Sequence, residues 1–148
     1  MTLNRDLKEF VELLNANGVD YTIVGAHALA FHGYSRFTGD IDILLQPSRE
    51  NMERLISALR EFGFGSLGYK PEDFLTAGEF VQLGVWPNRI DLLNEISGVT
   101  IDEIWKTRVK GNLSGIPVYF IARNEFLQNK RATGRGKDIV DIESLGEK

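Results

Sequence analysis

Apolar positions along this 148-residue chain follow two periods, one near 3.6 residues and one of two, and the changes between them mark out the elements. Between residues 4 and 18, Leu7, Phe10, Val11 and Leu14 recur at helical spacing and Gly18 closes the run. Residues 21–24 (YTIV) read as a short strand ending at Gly25, and the alanine-rich stretch 26–34 as a helix closed near Gly33. Residues 41–46 (IDILLQ) read as a strand stopped by Pro47. Residues 48–63 give the clearest helix, with Ser48 as N-cap and Met52, Leu55, Ile56, Leu59 and Phe62 in one stripe. A glycine-rich stretch, 64–79, holds one short helical turn. Residues 79–86 and 89–96 form two strand-like runs joined at Pro87-Asn88, a predicted hairpin. A short capped helix over 100–107 precedes a second predicted hairpin around Ser114-Gly115, and helical stretches at 123–134 and 137–146 follow. With no repeat or linker, the pattern predicts one α/β (α+β) domain, residues 1–148, built on a mixed β-sheet flanked by helices.

Composition narrows the chemistry. The chain has no cysteine, which excludes disulfides, thiolate zinc sites, iron–sulfur clusters and a cysteine nucleophile. His27 and His32 are its two histidines, too few for a three-histidine metal site. The net charge of −4 and pI near 5.2 argue against a domain that coats nucleic acid. Basic residues nevertheless gather at Arg123, Lys130, Arg131, Arg135 and Lys137. The apolar runs are short of a bilayer span and the first residues are polar, so a cytoplasmic protein without a membrane contact is expected.

The stretch Thr38-Gly39-Asp40-Ile41-Asp42-Ile43 carries the candidate chemistry. Side chains two apart on a strand share a face, so Asp40 and Asp42 sit together, with no basic residue between them in the sequence. A divalent cation relieves the repulsion of two such carboxylates, and Mg²⁺ is commonly held by one or two carboxylates plus substrate phosphates. Two acids facing solvent at a strand end are the plain alternative. An EF-hand loop fails, because its glycine and glutamate positions hold Leu45 and Asn51. An aspartyl-phosphatase motif would follow its apolar strand, whereas here the strand follows the acids. An aspartic-protease dyad needs carboxylates from separate loops. Asp91 stands in a matching context in a later strand and would complete a metal site and accept a proton if that strand lies beside the first. Upstream, Val24-Gly25-Ala26 leads a strand through a tight turn into a helix, which would present backbone N–H groups to an anion. P-loop and dinucleotide fingerprints are absent.

In combination these segments resemble the DNA polymerase beta superfamily of nucleotidyltransferases, and most closely its prokaryotic minimal and abortive-infection type II toxin-like members. The resemblance rests on Val24-Gly25-Ala26-x-Ala28-Leu29, on His32-Gly33-Tyr34-x-Arg36-x-Thr38-x-Asp40-Ile41-Asp42, on Ile90-Asp91-Leu92-Leu93 and on Lys130, Arg135, Lys137, Asp138 and Asp141, covering residues 20 to 141. It implies nucleotidyl transfer from a nucleoside triphosphate to an acceptor hydroxyl with release of pyrophosphate, using Mg²⁺ or Mn²⁺ held by Asp40, Asp42 and Asp91. Gly25, Ala26, Arg36, Arg135 and Lys137 would contact the nucleotide, with Asp138 orienting one of the two C-terminal cations. The acceptor would be a small molecule, a protein or an RNA end, and a partner protein, a second copy or the substrate itself would complete the pocket. The chain departs from the family at Ala26, where glycine or serine is usual, so a hydroxyl that could bond phosphate is missing. A binding module of low or no activity, toxin–antitoxin-like, is the competing expectation.

The remaining polar residues read more simply. His27 is expected to be packed, His32 to bond backbone, and Lys137 with Asp141 to form an i,i+4 pair if the C-terminal cluster is a solvated face. Trp86 and Trp105 read as core or half-buried aromatics.

Overall fold

The computed structural model describes residues 3–35, 38–85 and 88–147. Arg36, a predicted nucleotide contact, and Trp86 lie outside the described residues. Among the described residues six strands form one mixed sheet in the order β3-β4-β2-β1-β6-β5: β1 (Tyr21–Val24), β2 (Asp40–Leu45), β3 (Phe80–Leu83), β4 (Arg89–Leu93), β5 (Val109–Leu113) and β6 (Ile116–Phe120). Among the described residues six α-helices accompany them: α1 (Arg5–Ala16), α2 (Gly25–Phe31), α3 (Arg49–Leu59), α4 (Ile101–Thr107), α5 (Arg123–Thr133) and α6 (Gly136–Ser144). The mixed sheet flanked by helices is the architecture the sequence predicts. Among the described residues no helix is long and apolar enough to cross a membrane.

The helices bury the stripes read from the sequence. Leu7, Phe10, Val11 and Leu14 of α1 are buried, as are Met52, Leu55 and Leu59 of α3. Burial of a side chain of this size contributes about 1.5–3 kcal/mol. Asn4, Ser48 and Thr100 cap α1, α3 and α4, each accepting a backbone N–H of the first turn. Regular α3 ends at Leu59 rather than at residue 63. Its chain continues through one widened turn, Arg60–Phe64, that contains Gly63 at φ +100°. Phe62 explains the wider turn: its ring meets Phe10 and Phe64, each edge-on at 5.2 Å, so the turn reaches toward α1.

Both predicted hairpins form. β3 pairs antiparallel with β4, and β5 with β6 through Ser114 and Gly115, both at positive φ as a tight hairpin turn requires. Two pairings position the site. β2 lies antiparallel to β1, with Val24 opposite Asp42, and parallel to β4, with Asp40 opposite Arg89 and Asp42 opposite Asp91.

Candidate active site

Strand alternation sorts β2 into two faces. Ile41 and Ile43 are fully buried on one, and Asp40 and Asp42 are half-buried on the other. The parallel register of β4 puts Asp91 beside Asp42 on that second face. One carboxylate oxygen from each of Asp40, Asp42 and Asp91 lies within 4.8 Å of the others. The turn into α2 closes against them. Gly25 has φ +70°, and a Cβ there would collide with the Asp42 carboxylate, so both conformation and space call for glycine. Ala26 is buried next to it.

The register also brings in a residue that the sequence reading left aside. Nothing basic separates Asp40 from Asp42 along the chain, but Arg89 arrives from β4. Its Nη2 donates to Asp40 Oδ2 and lies 3.3 Å from Asp91 Oδ2, while Nε lies 3.2 Å from Asp91 Oδ1. The carboxylate pair is therefore not bare: a cation distant in the sequence reaches it through the sheet. Thr38 also donates to Asp40 Oδ1 at 2.7 Å. The signal for Arg89 was its i−2 spacing from Asp91, the same face rule that joined Asp40 to Asp42.

One arginine does not neutralise three acids, and their affinities for protons diverge. Burial pushes Asp42 up to about 7, and the neighbouring charges of Asp40 and Asp91 push the same way. Burial likewise raises Asp91, against the pull of Asp42's hydrogen bond and Arg89's charge. Burial also acts to raise Asp40, but the hydrogen bonds from Thr38 and Arg89 and the charge of Arg89 outweigh it and hold Asp40 below its ordinary value. Asp91 Oδ1 is buried without a hydrogen-bond partner. Convergent carboxylate oxygens, excess negative charge and an orphaned acceptor fit a hard divalent cation such as Mg²⁺ or Mn²⁺.

The triad opens on a cleft of about 530 Å³. Its other wall carries Lys130, Thr133, Arg135 and Lys137, and Gly25 and Ala26 line it as well. Phe80, Gln82 and Glu95 border it from the β3–β4 side. There Asn94 fastens the preceding loop, donating to the carbonyls of Phe74 at 3.0 Å and Thr76 at 2.7 Å and accepting from the Gly78 amide.

The basic wall has its own support. Asp138, fully buried, accepts from Thr133 Oγ1 at 2.6 Å, from Arg135 Nε at 2.8 Å and from the Arg135 amide at 3.1 Å. Burial acts to raise Asp138, but these donors and Lys130 carry it well below the usual carboxylate range. Lys130 is buried too, its Nζ 3.4 Å from Asp138 Oδ1 and 3.6 Å from Asp141 Oδ2. Asp141 thus turns to Lys130, which replaces the helix pair with Lys137 that sequence spacing suggested. Lys137 itself is exposed at the cleft. His27 is buried on α2, its Nδ1 without a hydrogen-bond partner, and burial holds its proton affinity below the ordinary value. His32 ends α2 with Nε2 2.7 Å from the Ile121 carbonyl oxygen.

Comparison with known proteins supplies the fold's kinship. No protein-family model matches the chain, and no curated protein matches it in sequence. The crystal structure of the lincosamide antibiotic adenylyltransferase LnuA, lincomycin-bound, superposes on it with a TM-score of 0.60 at 13% identity, over 98% of this chain and 97% of that one. The fold is a nucleotidyltransferase fold. A second counterpart is an antigenic nucleotidyltransferase-like protein from Paracoccidioides brasiliensis, with a TM-score of 0.56 at 18% identity, over 97% of this chain and 77% of that one. The carboxylate triad stands on the sheet of this nucleotidyltransferase fold.

Proposed function

We infer that the chain is a metal-dependent nucleotidyltransferase that moves a nucleoside monophosphate from a nucleoside triphosphate to an acceptor hydroxyl and releases pyrophosphate. The observation that carries this reading is one cleft with three converging carboxylates on one wall and Lys130, Arg135 and Lys137 on the other. A triphosphate is a polyanion that needs cations on both sides. Asp40, Asp42 and Asp91 would hold one or two divalent ions, Mg²⁺ or Mn²⁺, which supply charge neutralisation and lower the acidity barrier of the attacking hydroxyl. Asp91, whose proton affinity is raised, is suited to take the hydroxyl proton. Arg135 and Lys137 would meet the outer phosphates, and the Gly25–Ala26 backbone the inner ones. Arg36 belongs to the same proposed set.

Several finer points belong to the proposal. The kinship with minimal and abortive-infection toxin-like members rests on motif spacing. A small hydroxylated acceptor is favoured over a protein or an RNA end, because the superposing adenylyltransferase was solved with an antibiotic bound. The pool of nucleoside triphosphates makes the cytoplasm the site of action, and residues 1–148 act as one catalytic domain that a partner, a second copy or the acceptor completes.

The test is turnover. Each of the four triphosphates, labelled at the α-phosphate, is incubated with Mg²⁺ or Mn²⁺ and a panel of hydroxylated small molecules and cell extract. Label on an acceptor with stoichiometric pyrophosphate, lost in Asp42→Asn, is expected. Tight triphosphate binding without label transfer to any acceptor would instead establish the binding-module reading.

A further inference from the structure

Arg89 stands where a metal would. Register puts it opposite Asp40, two residues before Asp91, on the face that carries the triad. Its guanidinium spans two of the three carboxylates. The bridge is nonetheless incomplete: Arg89 Nε and Asp91 Oδ1 are both buried, close enough to attract, and neither makes a hydrogen bond. A well-formed bidentate fork would satisfy both atoms. Arg89 therefore supplies charge that the acids need while leaving polar atoms unserved. Its side chain is 38% exposed and borders the cleft, so it has room to leave.

We propose that Arg89 is a built-in substitute cation, which neutralises Asp40 and Asp91 while no divalent ion is bound, yields that place to a metal–triphosphate, and then turns its fork to the phosphate oxygens. This rests on the reading of the triad as a metal site given under Proposed function. A metal arriving alone has to displace the guanidinium with nothing to receive it. A metal arriving with a triphosphate brings oxygens that match the planar fork. The affinity for metal alone is thereby reduced by the fraction of molecules in which Arg89 holds the acids. Metal and nucleotide then assist each other's binding by the same factor, as linkage requires. Arg89 thereby decides the order of loading.

The experiment measures Mn²⁺ binding by calorimetry and by the spin resonance of free Mn²⁺, first with no nucleotide. It is repeated with a triphosphate whose α–β bridging oxygen is replaced by methylene, referenced to the Mn²⁺–triphosphate complex in buffer. Wild type, Arg89→Gln and Arg89→Lys are compared. Arg89→Gln is expected to bind Mn²⁺ alone about tenfold more tightly than wild type, within the usual range of coupling between sites. The gain in Mn²⁺ affinity on adding the analogue should shrink toward none. Arg89→Lys keeps the charge but cannot span both carboxylates. It should shift in the same direction and serves the same comparison should Arg89→Gln fail to fold. Mn²⁺ affinity that is unchanged or weaker in both variants, with wild-type coupling, would overturn the role of Arg89 and leave the metal site standing. No Mn²⁺ binding in any form, with or without the analogue, would overturn the metal site and this inference together.

Discussion

Two acidic clusters face each other across the cleft, built from the same kinds of residue and balanced in opposite ways. On the sheet, Arg89 is, among the described residues, the close cation of Asp40 and Asp91, two of the three converging carboxylates. On the helices, Asp138 and Asp141 are matched by Lys130 and Arg135, with Thr133 and a backbone amide adding hydrogen bonds to Asp138. Their proton affinities follow: Asp42 is driven up to about 7 and Asp138 well down. A cluster that satisfies itself is scaffolding. A cluster left with excess negative charge holds a standing demand for a cation, which folding alone does not meet. Function is sought in the second kind.

The largest expected effects come from exchanging these roles. Asp42→Asn should abolish Mn²⁺ binding in calorimetry and leave the melting temperature of the metal-free protein unchanged or higher, because a like-charge repulsion is removed. A large loss of stability with unchanged metal affinity would reverse the comparison. Asp91→Asn should keep nucleotide binding and lower turnover by about 10²–10⁴-fold, the usual contribution of a general base. Asp138→Ala should do the opposite of Asp42→Asn. It leaves the buried Lys130 short of a partner, and breaking a buried pair in this way costs about 3–5 kcal/mol. Urea unfolding measures it, and a loss below about 1 kcal/mol would remove Asp138 from the scaffold.

The two clusters also predict opposite pH limbs. Asp42 and Asp91 bind protons more tightly in the folded chain than in the unfolded one. For Asp42, between an unfolded value of about 4 and a folded value of about 7, the native state holds the extra proton, so metal-free stability falls as pH rises across that window, and Asp91 acts in the same direction. Asp138 binds its proton less tightly when folded. Its contribution is complete above about 4 and is lost as pH falls further. Urea midpoints measured in chelator should therefore peak near the acid end, and Asp42→Asn should flatten the upper limb while Asp138→Asn flattens the lower. A wild-type midpoint that rises steadily from pH 5 to 7.5 in chelator would contradict the upper limb.

Why the sequence revealed one cluster and half of the other is a matter of range. Asp40 and Asp42 are joined by strand spacing, and Asp91 could be placed because Ile90-Asp91-Leu92-Leu93 repeats the same local pattern. Both hairpins were legible from their turn residues, Gly115 above all. The Arg89–Asp40 bridge joins residues 49 apart, and it depends on β4 lying parallel to β2 in one register. A shift by one residue would have turned Arg89 to the other face. Lys130 was hidden differently. It follows Phe126 and Leu127 on the buried face of α5, its ammonium 5.3 Å from the Phe126 ring centre. A lysine in a basic run reads as solvated until helix packing shows what it faces. The early end of α3 was also out of reach, because Phe62 reaches Phe10 only once α1 and α3 are packed.

The smallest effect tests whether the balanced cluster also reaches the nucleotide. Arg135 is anchored by Asp138, yet its side chain is 57% exposed at the cleft, and Lys137 is exposed beside it. Exposed charges of this kind contribute about 0.2–1 kcal/mol each. Lys137→Ala and Arg135→Gln should therefore weaken binding of a triphosphate by about two- to fivefold. A monophosphate, which lacks the outer phosphates, should be affected less. The difference should fade as salt is raised through about 0.5 M, where charges more than a few ångströms apart are screened. Arg135→Gln should also lower stability slightly, since Asp138 keeps Thr133 and Lys130 but loses its guanidinium, whereas Lys137→Ala should not. That split in stability with a shared loss of triphosphate affinity would place one cation of the cluster in both roles and the other in binding alone. Equal, salt-insensitive losses for both ligands would return Arg135 and Lys137 to the solvated helix face and leave the nucleotide to the sheet-borne cluster.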